Sequence, residues 1–300
     1  MKNKGILYGI GAYVLWGFFP IYWKFLHPVP ALQVIGHRIG WSFVILIAYV
    51  LVTKQWDEFR AVAFNSKTLL IYGVAAILLS INWLVYVWGV NAGFIVETSL
   101  GYFINPLLSV LMGVIFLRER LRPAQWIPVA LAAAGVVYLT AVYGRLPWIA
   151  LSLAFSFGLY GLMKKLAPLG SLYGLTLETG ILFPLAVIFL AFVQVAGDGA
   201  FLHDGVVVDL FLVGAGIVTT IPLLMFASAA KQIPLSMVGI LQYIAPTLQF
   251  LIGVFLYKEP FDHSHLIGFG IVWAALVIFW VENYIANRTP VEPIPELGEG

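Results

Sequence analysis

Long apolar stretches separated by short polar connections make up almost the whole chain. About 20 apolar residues cross the hydrocarbon core of a bilayer, where every backbone N–H and C=O must be paired within the protein. Each apolar stretch therefore predicts a transmembrane helix. The predicted spans are 5–23, 31–53, 68–89, 93–117, 123–142, 147–163, 171–195, 207–229, 235–257 and 264–283.

Three segments need separate interpretation. The segment 54–67 predicts a short surface helix between two spans. The end of the chain, 286–300, is rich in Pro, Glu and Gly and predicts a disordered tail. The start, MKNKGILYGIGAYVLWGFF, has the basic residues and apolar run of a signal peptide but lacks a convincing small-x-small cleavage site. It is therefore predicted to remain as the first helix.

Composition agrees with this pattern. Apolar residues make up 62% of the chain and charged residues 10%, whereas about a quarter of a typical soluble domain is charged. The sequence thus predicts an all-α integral membrane protein with ten transmembrane helices. There is no cysteine, which excludes disulfides and thiol chemistry. The basic residues lie mainly in short connections, so nothing indicates a nucleic-acid partner.

Positively charged residues indicate the orientation of the helices. One side of the predicted membrane carries Lys2, Lys4, Lys54, Arg60, Lys67, Arg118, Arg120, Arg122, Lys164, Lys165, Lys231 and Arg288. The other side carries Lys24, Arg145 and Lys258. Because an excess of Lys and Arg marks cytoplasmic connections, both termini are predicted to be cytoplasmic.

The second half of the chain repeats the first at an offset of 140 residues. YFINPLLSVLMGVIFLRER matches YIAPTLQFLIGVFLYKEP when Pro106 is set on Pro246, and Glu119 then meets Glu259. Each half holds five spans, an odd number, so the two repeats enter the membrane from opposite sides. Inverted repeats are a recurrent architecture of secondary transporters. The alternative is a duplication that only builds a large helical protein.

The predicted repeats are residues 1–142 and 143–285. Their strings WGFFPIYWK, GHR, ETSLGYFINPL and LQYIAPTLQF resemble the EamA branch of the drug/metabolite transporter superfamily, and within it the RarD-type permeases. The resemblance covers roughly residues 5–283. It implies an inner-membrane carrier that exports small molecules, but it does not supply the substrate.

Four ionisable residues fall inside predicted spans: His37, Arg38, Glu97 and Glu178. Such groups are costly in hydrocarbon and normally face a cavity and pair with one another. We hypothesise that Arg38 exchanges between Glu97 and Glu178 as the carrier switches. The alternative is a static buried ion pair that sets the register of the helices. Because burial favours the neutral form of a carboxylate, Glu97 and Glu178 are also the candidates for proton coupling.

The fourth span predicts the wall of an aqueous cavity. Glu97 and Asn105 lie on one helical face, although a solvated position of Glu97 at the headgroup boundary is the alternative. Pro106 leaves the carbonyl of Tyr102 without its helical partner and predicts a kink, as does Pro246 in the ninth span. The predicted cavity residues are Trp16, His37, Arg38, Asn82, Glu97, Tyr102, Asn105, Glu178, Gln242 and Tyr243.

These features predict a secondary carrier of amino-acid-like or other small amphipathic metabolites. Its expected partners are a small-molecule substrate and the lipid bilayer, and it is expected to act as a monomer or homodimer. No phosphate-binding loop, metal-ligand spacing or nucleophile motif occurs, so no cofactor or metal is predicted. The alternatives are a membrane-embedded enzyme and a channel or lipid-handling protein. Aromatic residues chosen for the cavity have their own alternative, since most Trp and Tyr in membrane proteins form interfacial belts or pack.

Overall fold

A computed structural model describes residues 2–92, 94–143, 146–258 and 263–288, and every regular element within these ranges is a helix. The helices are α1 (Lys2–Gly17), α2 (Phe19–Lys24), α3 (Ala31–Val52), α4 (Trp56–Ala63), α5 (Ser66–Asn91), α6 (Ile95–Leu117), α7 (Trp126–Tyr143), α8 (Trp148–Leu166), α9 (Ser171–Ala196), α10 (Val206–Gln232), α11 (Leu235–Gln242), α12 (Ile244–Leu251) and α13 (His263–Arg288). A 3₁₀ turn, Pro123–Gln125, precedes α7, and a π-helical turn, Ile252–Leu256, follows α12. The prediction of an all-α protein is confirmed for the described residues.

The chain is a multi-pass membrane protein. Nine helical stretches within the described ranges are long and apolar enough to cross a membrane. The first combines α1 with α2, and the ninth combines α11, α12 and the π-helical turn. A tenth apolar stretch, Leu266–Glu282 in α13, is shorter. These stretches lie at the positions of the predicted spans, and the crossing of the membrane by the last one stays a prediction.

The segments 54–67 and 286–300 lie outside the predicted spans. The short helix expected within 54–67 is present as α4. The predicted tail starts too early, because α13 continues to Arg288 and includes the first residues of 286–300. Residues 289–300 lie outside the part of the chain that the structure describes.

The outer surface of the bundle is apolar. Val195 is 90% exposed, Val52 81% and Leu185 68%. In water such side chains would favour association, whereas lipid tails are as apolar as the side chains themselves. Polar side chains such as Asn82, Asn105 and Glu178 are buried inside the bundle, as expected when the surrounding medium cannot form hydrogen bonds.

Two long helical stretches are interrupted shortly before a proline. α1 and α2 meet at Phe18, before Pro20, and α11 and α12 meet at Tyr243, before Pro246. A proline has no N–H for the carbonyl four residues earlier, so the helix is weakened over the preceding turn. Pro106 differs, because α6 continues through it without a break.

The two halves of the bundle pack against each other in a symmetrical pattern. In chain order, α1, α3, α5 and α6 of the first half correspond to α8, α9, α10 and α11–α12 of the second. The contact α1–α10 then corresponds to α8–α5, and the contact α3–α10 corresponds to α9–α5. In the same way, the contact α6–α8 corresponds to α12–α1. The contacts α3–α9, α6–α11 and α7–α13 join equivalent helices of the two halves. Exchanging the halves in chain order therefore maps this set of contacts onto itself.

A glycine allows the close contact between α6 and α11. A Cβ atom built on Gly239 would lie 2.6 Å from the carbonyl oxygen of Pro106 and 2.8 Å from Cβ of Ser109. Real Cβ atoms do not come this close to such atoms, so any larger residue would push the helices apart. Small residues serve the same purpose at many interfaces between membrane helices.

Candidate functional site: a cavity between the two halves

A cavity of about 230 Å³ lies between the two halves of the bundle. α1, α2, α3, α5 and α6 line it from the first half, and α8, α10, α11 and α12 line it from the second. Both helix interruptions border the cavity, close to Pro20 and Pro246. Its lining residues are Tyr13, Trp16, Phe19, Pro20, Trp23, Arg38, Asn82, Trp83, Tyr86, Tyr102, Asn105, Phe157, Leu223, Gln242, Ala245, Pro246 and Gln249.

Arg38 of α3 brings a positive charge to the cavity wall. Its Nε donates a hydrogen bond to Oγ1 of Thr219 over 2.9 Å. The guanidinium carbon lies 4.8 Å from the ring centroid of Trp23 and 4.4 Å from that of Trp83. A cation–π contact contributes about 0.5–2 kcal/mol, depending on how far the cation is removed from water. The two indole rings and Thr219 together hold the guanidinium in place.

The terminal nitrogens of Arg38 remain available. Among the described residues, the bond to Thr219 is the one hydrogen bond of this guanidinium, and none of the described carboxylates forms an ion pair with it. Neither terminal nitrogen belongs to the buried, unpaired polar atoms, so both border accessible space. Arg38 therefore presents hydrogen-bond donors to the cavity.

Aromatic rings form much of the remaining wall. The rings of Tyr86 and Tyr102 meet edge to face, with their centroids 5.8 Å apart. Trp16 and Phe157 meet edge to face, also 5.8 Å apart. Rings of this kind present a large apolar surface together with a few polar edges, which suits a ligand that is itself amphipathic.

Several polar side chains at the wall are incompletely hydrogen-bonded. Asn82 is well satisfied, because its Nδ2 donates to two acceptors on α8. By contrast, Oδ1 of Asn105, Oε1 of Gln242 and the hydroxyl of Tyr13 have no hydrogen-bond partner among the described residues. Buried polar atoms in folded proteins are nearly always paired. These three groups therefore remain for water or a ligand to satisfy.

Glu178 of α9 lies outside the cavity, in a separate buried cluster. Its Oε1 accepts a hydrogen bond from Nζ of Lys164 over 2.8 Å, and its Oε2 accepts one from the hydroxyl of Tyr160 over 3.1 Å. The expectation that Arg38 pairs with Glu178 is therefore corrected, since Lys164 already neutralises this carboxylate. The hypothesised exchange of Arg38 between Glu97 and Glu178 loses one of its two partners.

A series of packed rings connects this cluster with the cavity. The ring of Tyr160, which binds Glu178, is stacked on Phe226 with centroids 6.0 Å apart. Phe226 in turn packs against Trp16 and Phe157, at 5.7 Å and 5.3 Å. Both of these rings line the cavity, so the ion pair and the cavity share one packed aromatic core.

His37 and Tyr243 also lie away from the cavity. His37 is next to Arg38, and consecutive residues of an α-helix point about 100° apart, so its ring packs 5.1 Å from that of Phe201 instead. Tyr243, at the break between α11 and α12, donates its hydroxyl to the carbonyl of Phe103 over 3.3 Å. Its side chain therefore joins α6 rather than the cavity wall.

Six of the residues predicted for the cavity do line it: Trp16, Arg38, Asn82, Tyr102, Asn105 and Gln242. The side chain of Glu97 lies outside the described part of the chain, so its role stays a prediction. Within the described residues, no group of three or more His, Asp or Glu side chains could hold a metal ion.

Sequence reasoning missed several residues of the site. Trp23 could have been found, because it continues the helical spacing of Trp16 and Pro20. Trp83 carried no comparable signal. The sequence predicts that Lys164 lies outside the membrane, because the predicted span ends at 163, whereas α8 continues to Leu166.

Glu119, which follows α6, closes one end of the contact between α6 and α11. Its Oε1 accepts the N–H of Leu235 over 2.6 Å, and its Oε2 accepts the N–H and Oγ of Ser236 over 2.9 and 2.7 Å. Pro234 precedes α11 and provides no side-chain cap. A carboxylate of the first half thus caps a helix of the second, whose first N–H groups would otherwise be unpaired. Its repeat equivalent, Glu259, lies outside the described residues.

Comparison with known proteins identifies the family. The sequence profile of the EamA-like transporter family matches residues 3–141 and again 146–281. The chain is 49% identical over 284 residues to "Uncharacterized transporter YojE" of Bacillus subtilis (strain 168), covering 92% of this chain and 93% of that one. It is 44% identical over 289 residues to "Protein RarD" of Streptomyces exfoliatus (96% and 92% covered). It is 39% identical over 286 residues to "Protein RarD" of Escherichia coli (strain K12) (95% and 97%).

A solved crystal structure shares the fold. It superposes with a TM-score of 0.70 over 94% of this chain and 100% of its own, at 19% sequence identity. That likeness concerns the fold alone, whereas the family follows from the profile and from the relatives, which match nearly the whole chain. The protein is thus a membrane transporter that belongs to the EamA-like transporter family, with close relatives of the RarD type.

Proposed function

We propose that this protein is a secondary carrier that exports small amphipathic metabolites across the inner membrane by alternating access. The observation that carries the proposal is the cavity, because helices of both halves line it and both helix interruptions border it. Secondary transporters typically bind substrate at discontinuous helices between two repeats. Rocking one half against the other would then expose a bound molecule to either side of the membrane.

The two halves are proposed to be inverted five-span repeats, 1–142 and 143–285. Three observations support this: the separate family match of each half, the exchangeable pattern of helix contacts and the residue matches at an offset of 140. Related halves can adopt each other's conformation, which provides two packings of similar free energy. A substrate with different affinities for the two packings shifts their populations.

The end of the bundle that holds Glu119 is the proposed cytoplasmic gate, and hydrogen bonds hold its helices together in this structure. Besides the cap on α11, Nζ of Lys165 donates to the carbonyl of Ile233. Nζ of Lys231 donates to the carbonyl of Ala167 over 2.7 Å. These two contacts tie the connections α8–α9 and α10–α11 together within the second half. The cap of Glu119 on α11 joins the two halves, so rocking them apart at this end requires breaking that cap.

The proposed orientation can be tested with fusions to the carboxyl end of the chain. Alkaline phosphatase is active only on the outer side of the inner membrane, whereas a conventional fluorescent protein becomes fluorescent only on the cytoplasmic side. If both termini are cytoplasmic and the chain has ten spans, the fluorescent-protein fusion is fluorescent and the phosphatase fusion is inactive. Active phosphatase at the carboxyl end would contradict the proposed cytoplasmic location of that terminus.

Flux through proteoliposomes tests the carrier function. The purified protein is reconstituted and supplied with a panel of radiolabelled metabolites, with protein-free liposomes as the control. A carrier gives saturable uptake that is accelerated when unlabelled substrate is present inside. A channel gives flux without such exchange, and an enzyme gives chemically altered label. Saturable exchange of unaltered label therefore supports the proposal against both alternatives.

We further propose that transport is coupled to protons through Glu97 or Glu178. Protonation of Glu178 would leave Lys164 as an uncompensated buried charge, and the aromatic core between this pair and the cavity provides a route for coupling. Flux is compared with and without an imposed pH gradient in the unaltered protein, Glu97→Gln and Glu178→Gln. The variant that keeps saturable exchange but loses gradient dependence identifies the coupling group. An unaltered protein that ignores the gradient removes proton coupling and leaves the carrier.

A further inference from the structure

We infer that the cavity binds a small molecule with one carboxylate and a flat, apolar body, and that Arg38 is the residue that binds the carboxylate. This inference rests on the proposed carrier function and adds the chemical class of the substrate. It follows from how Arg38 is held, from the charge of the cavity wall and from the size of the space.

The contacts of Arg38 leave its terminal nitrogens for a ligand. Trp23 and Trp83 lie over the guanidinium, and Thr219 occupies its Nε. The terminal nitrogens border the cavity without a described partner. A guanidinium presents parallel N–H donors along its edge, in a spacing that matches the two oxygens of a carboxylate. A ligand in the cavity therefore meets a preformed carboxylate site.

The single positive charge of Arg38 at the cavity wall favours a ligand with a single negative charge. Arg38 is the one charged side chain among the described lining residues. An uncompensated charge in the interior of a membrane protein is costly and normally has a counter-ion. A carboxylate matches one guanidinium, whereas a phosphate ester carries about −1.5 to −2 near neutral pH and would leave excess negative charge in the cavity.

The walls and the volume define the rest of the ligand. Trp16, Tyr86 and Tyr102 provide ring surfaces against which an apolar or aromatic body can pack. The cavity, about 230 Å³, is smaller than the roughly 300 Å³ at which pockets for drug-sized ligands begin. A compound with one ring or a short chain therefore fits better than a multi-ring compound.

Binding of three radiolabelled probes to the full-length protein in lipid nanodiscs tests the inference. Phenylpropionate, phenethylamine and phenyl phosphate share a phenyl ring and differ in the charged group. Phenylpropionate is expected to bind at least about tenfold more tightly than either of the others, because it alone satisfies the guanidinium with a single charge.

Variants connect the preference to Arg38. Arg38→Gln is expected to lower the affinity for phenylpropionate about tenfold or more, and Arg38→Lys, which keeps the charge but loses the planar fork, is expected to lie between. Lys24→Gln is the matched control, because Lys24 also lies over a ring, 3.9 Å from the centroid of Tyr257, but does not line the cavity. It should bind phenylpropionate like the unaltered protein. If Arg38→Gln does not yield folded protein, Arg38→Lys carries the comparison.

Three results would overturn the inference. The first is that no probe binds, and the second is that phenethylamine or phenyl phosphate binds more tightly than phenylpropionate. The third is that both Arg38 variants bind phenylpropionate with the same affinity as the unaltered protein. Failure of the proposed carrier function gives a different result. Phenylpropionate would then bind in an Arg38-dependent way, yet no saturable exchange would occur with any metabolite in proteoliposomes.

Discussion

Nζ of Lys164 lies 2.8 Å from Oε1 of Glu178, and the two side chains are 2% and 1% exposed. The pair joins α8 to α9 inside the bundle, where neither water nor lipid headgroups can solvate a charge. Each ion is tolerated there because the other neutralises it, and the hydroxyl of Tyr160 adds a further hydrogen bond to the carboxylate. The ion pair is therefore a sensitive point of the fold.

Removing one member of this pair is expected to destabilise the protein more than removing both. Lys164→Met or Glu178→Gln alone leaves an uncompensated buried charge, which typically costs about 3–5 kcal/mol. The double variant Lys164→Met/Glu178→Gln should recover most of that loss, because two neutral side chains of similar volume replace two ions. Unfolding of the purified proteins by detergent titration measures the three free energies. A double variant that is as unstable as the two single losses combined would show that the charges do not act as a pair.

The cap that Glu119 provides for α11 is expected to stabilise the contact between α6 and α11. Glu119→Gln removes the charge and one acceptor oxygen, with an expected loss of about 1.5–3 kcal/mol for hydrogen bonds to a charged group. Ser236→Ala removes only the bond from Oγ and should cost less, about 0.5–1.5 kcal/mol. The same detergent titration gives both values. Equal stability of Glu119→Gln and the unaltered protein would mean that this cap contributes nothing to the stability of the bundle.

The close contact of α6 and α11 at Gly239 predicts a steric effect. Gly239→Ala places a Cβ atom 2.6 Å from the carbonyl oxygen of Pro106, and backbone cannot move aside as a flexible side chain can. The variant is expected to lose about 1–3 kcal/mol, the usual range for overpacking. Gly40→Ala is the matched control, because nothing lies within 4 Å of its built Cβ. Thermal unfolding in detergent should show a lower midpoint for Gly239→Ala than for Gly40→Ala.

The indole ring over the Arg38 guanidinium predicts an effect on transport. For a substrate found in the flux screen, Trp83→Leu should raise KM about twofold to tenfold, because loss of one cation–π contact loosens the guanidinium. Trp88→Leu serves as the control, since Trp88 packs against Trp148 and does not line the cavity. Uptake rates over a range of substrate concentrations give both values. A KM in Trp83→Leu no different from that in Trp88→Leu would argue against a positioning role of this ring.

The apolar pattern by itself determined the class of the protein and the places of its helices. This was achievable because hydrocarbon leaves the backbone few choices: a long apolar stretch must form a helix, whatever lies beside it. Helical spacing also predicted which faces of single helices are polar, which is why Trp16, Asn105 and Gln242 could be selected for a cavity. The repeat at 140 residues was visible because matching residues at equivalent positions survive in the chain itself.

Only the tertiary structure decided which polar residues meet. Arg38 and Glu178 occupy equivalent repeat positions and were plausible partners, but Glu178 binds Lys164 and Arg38 packs against Trp23 and Trp83. Helical periodicity specifies the face of one helix, whereas a contact between helices also depends on their rotation, depth and distance. Those quantities are set by the packing of all the helices together, including close contacts that small residues permit, and no single stretch of sequence contains them.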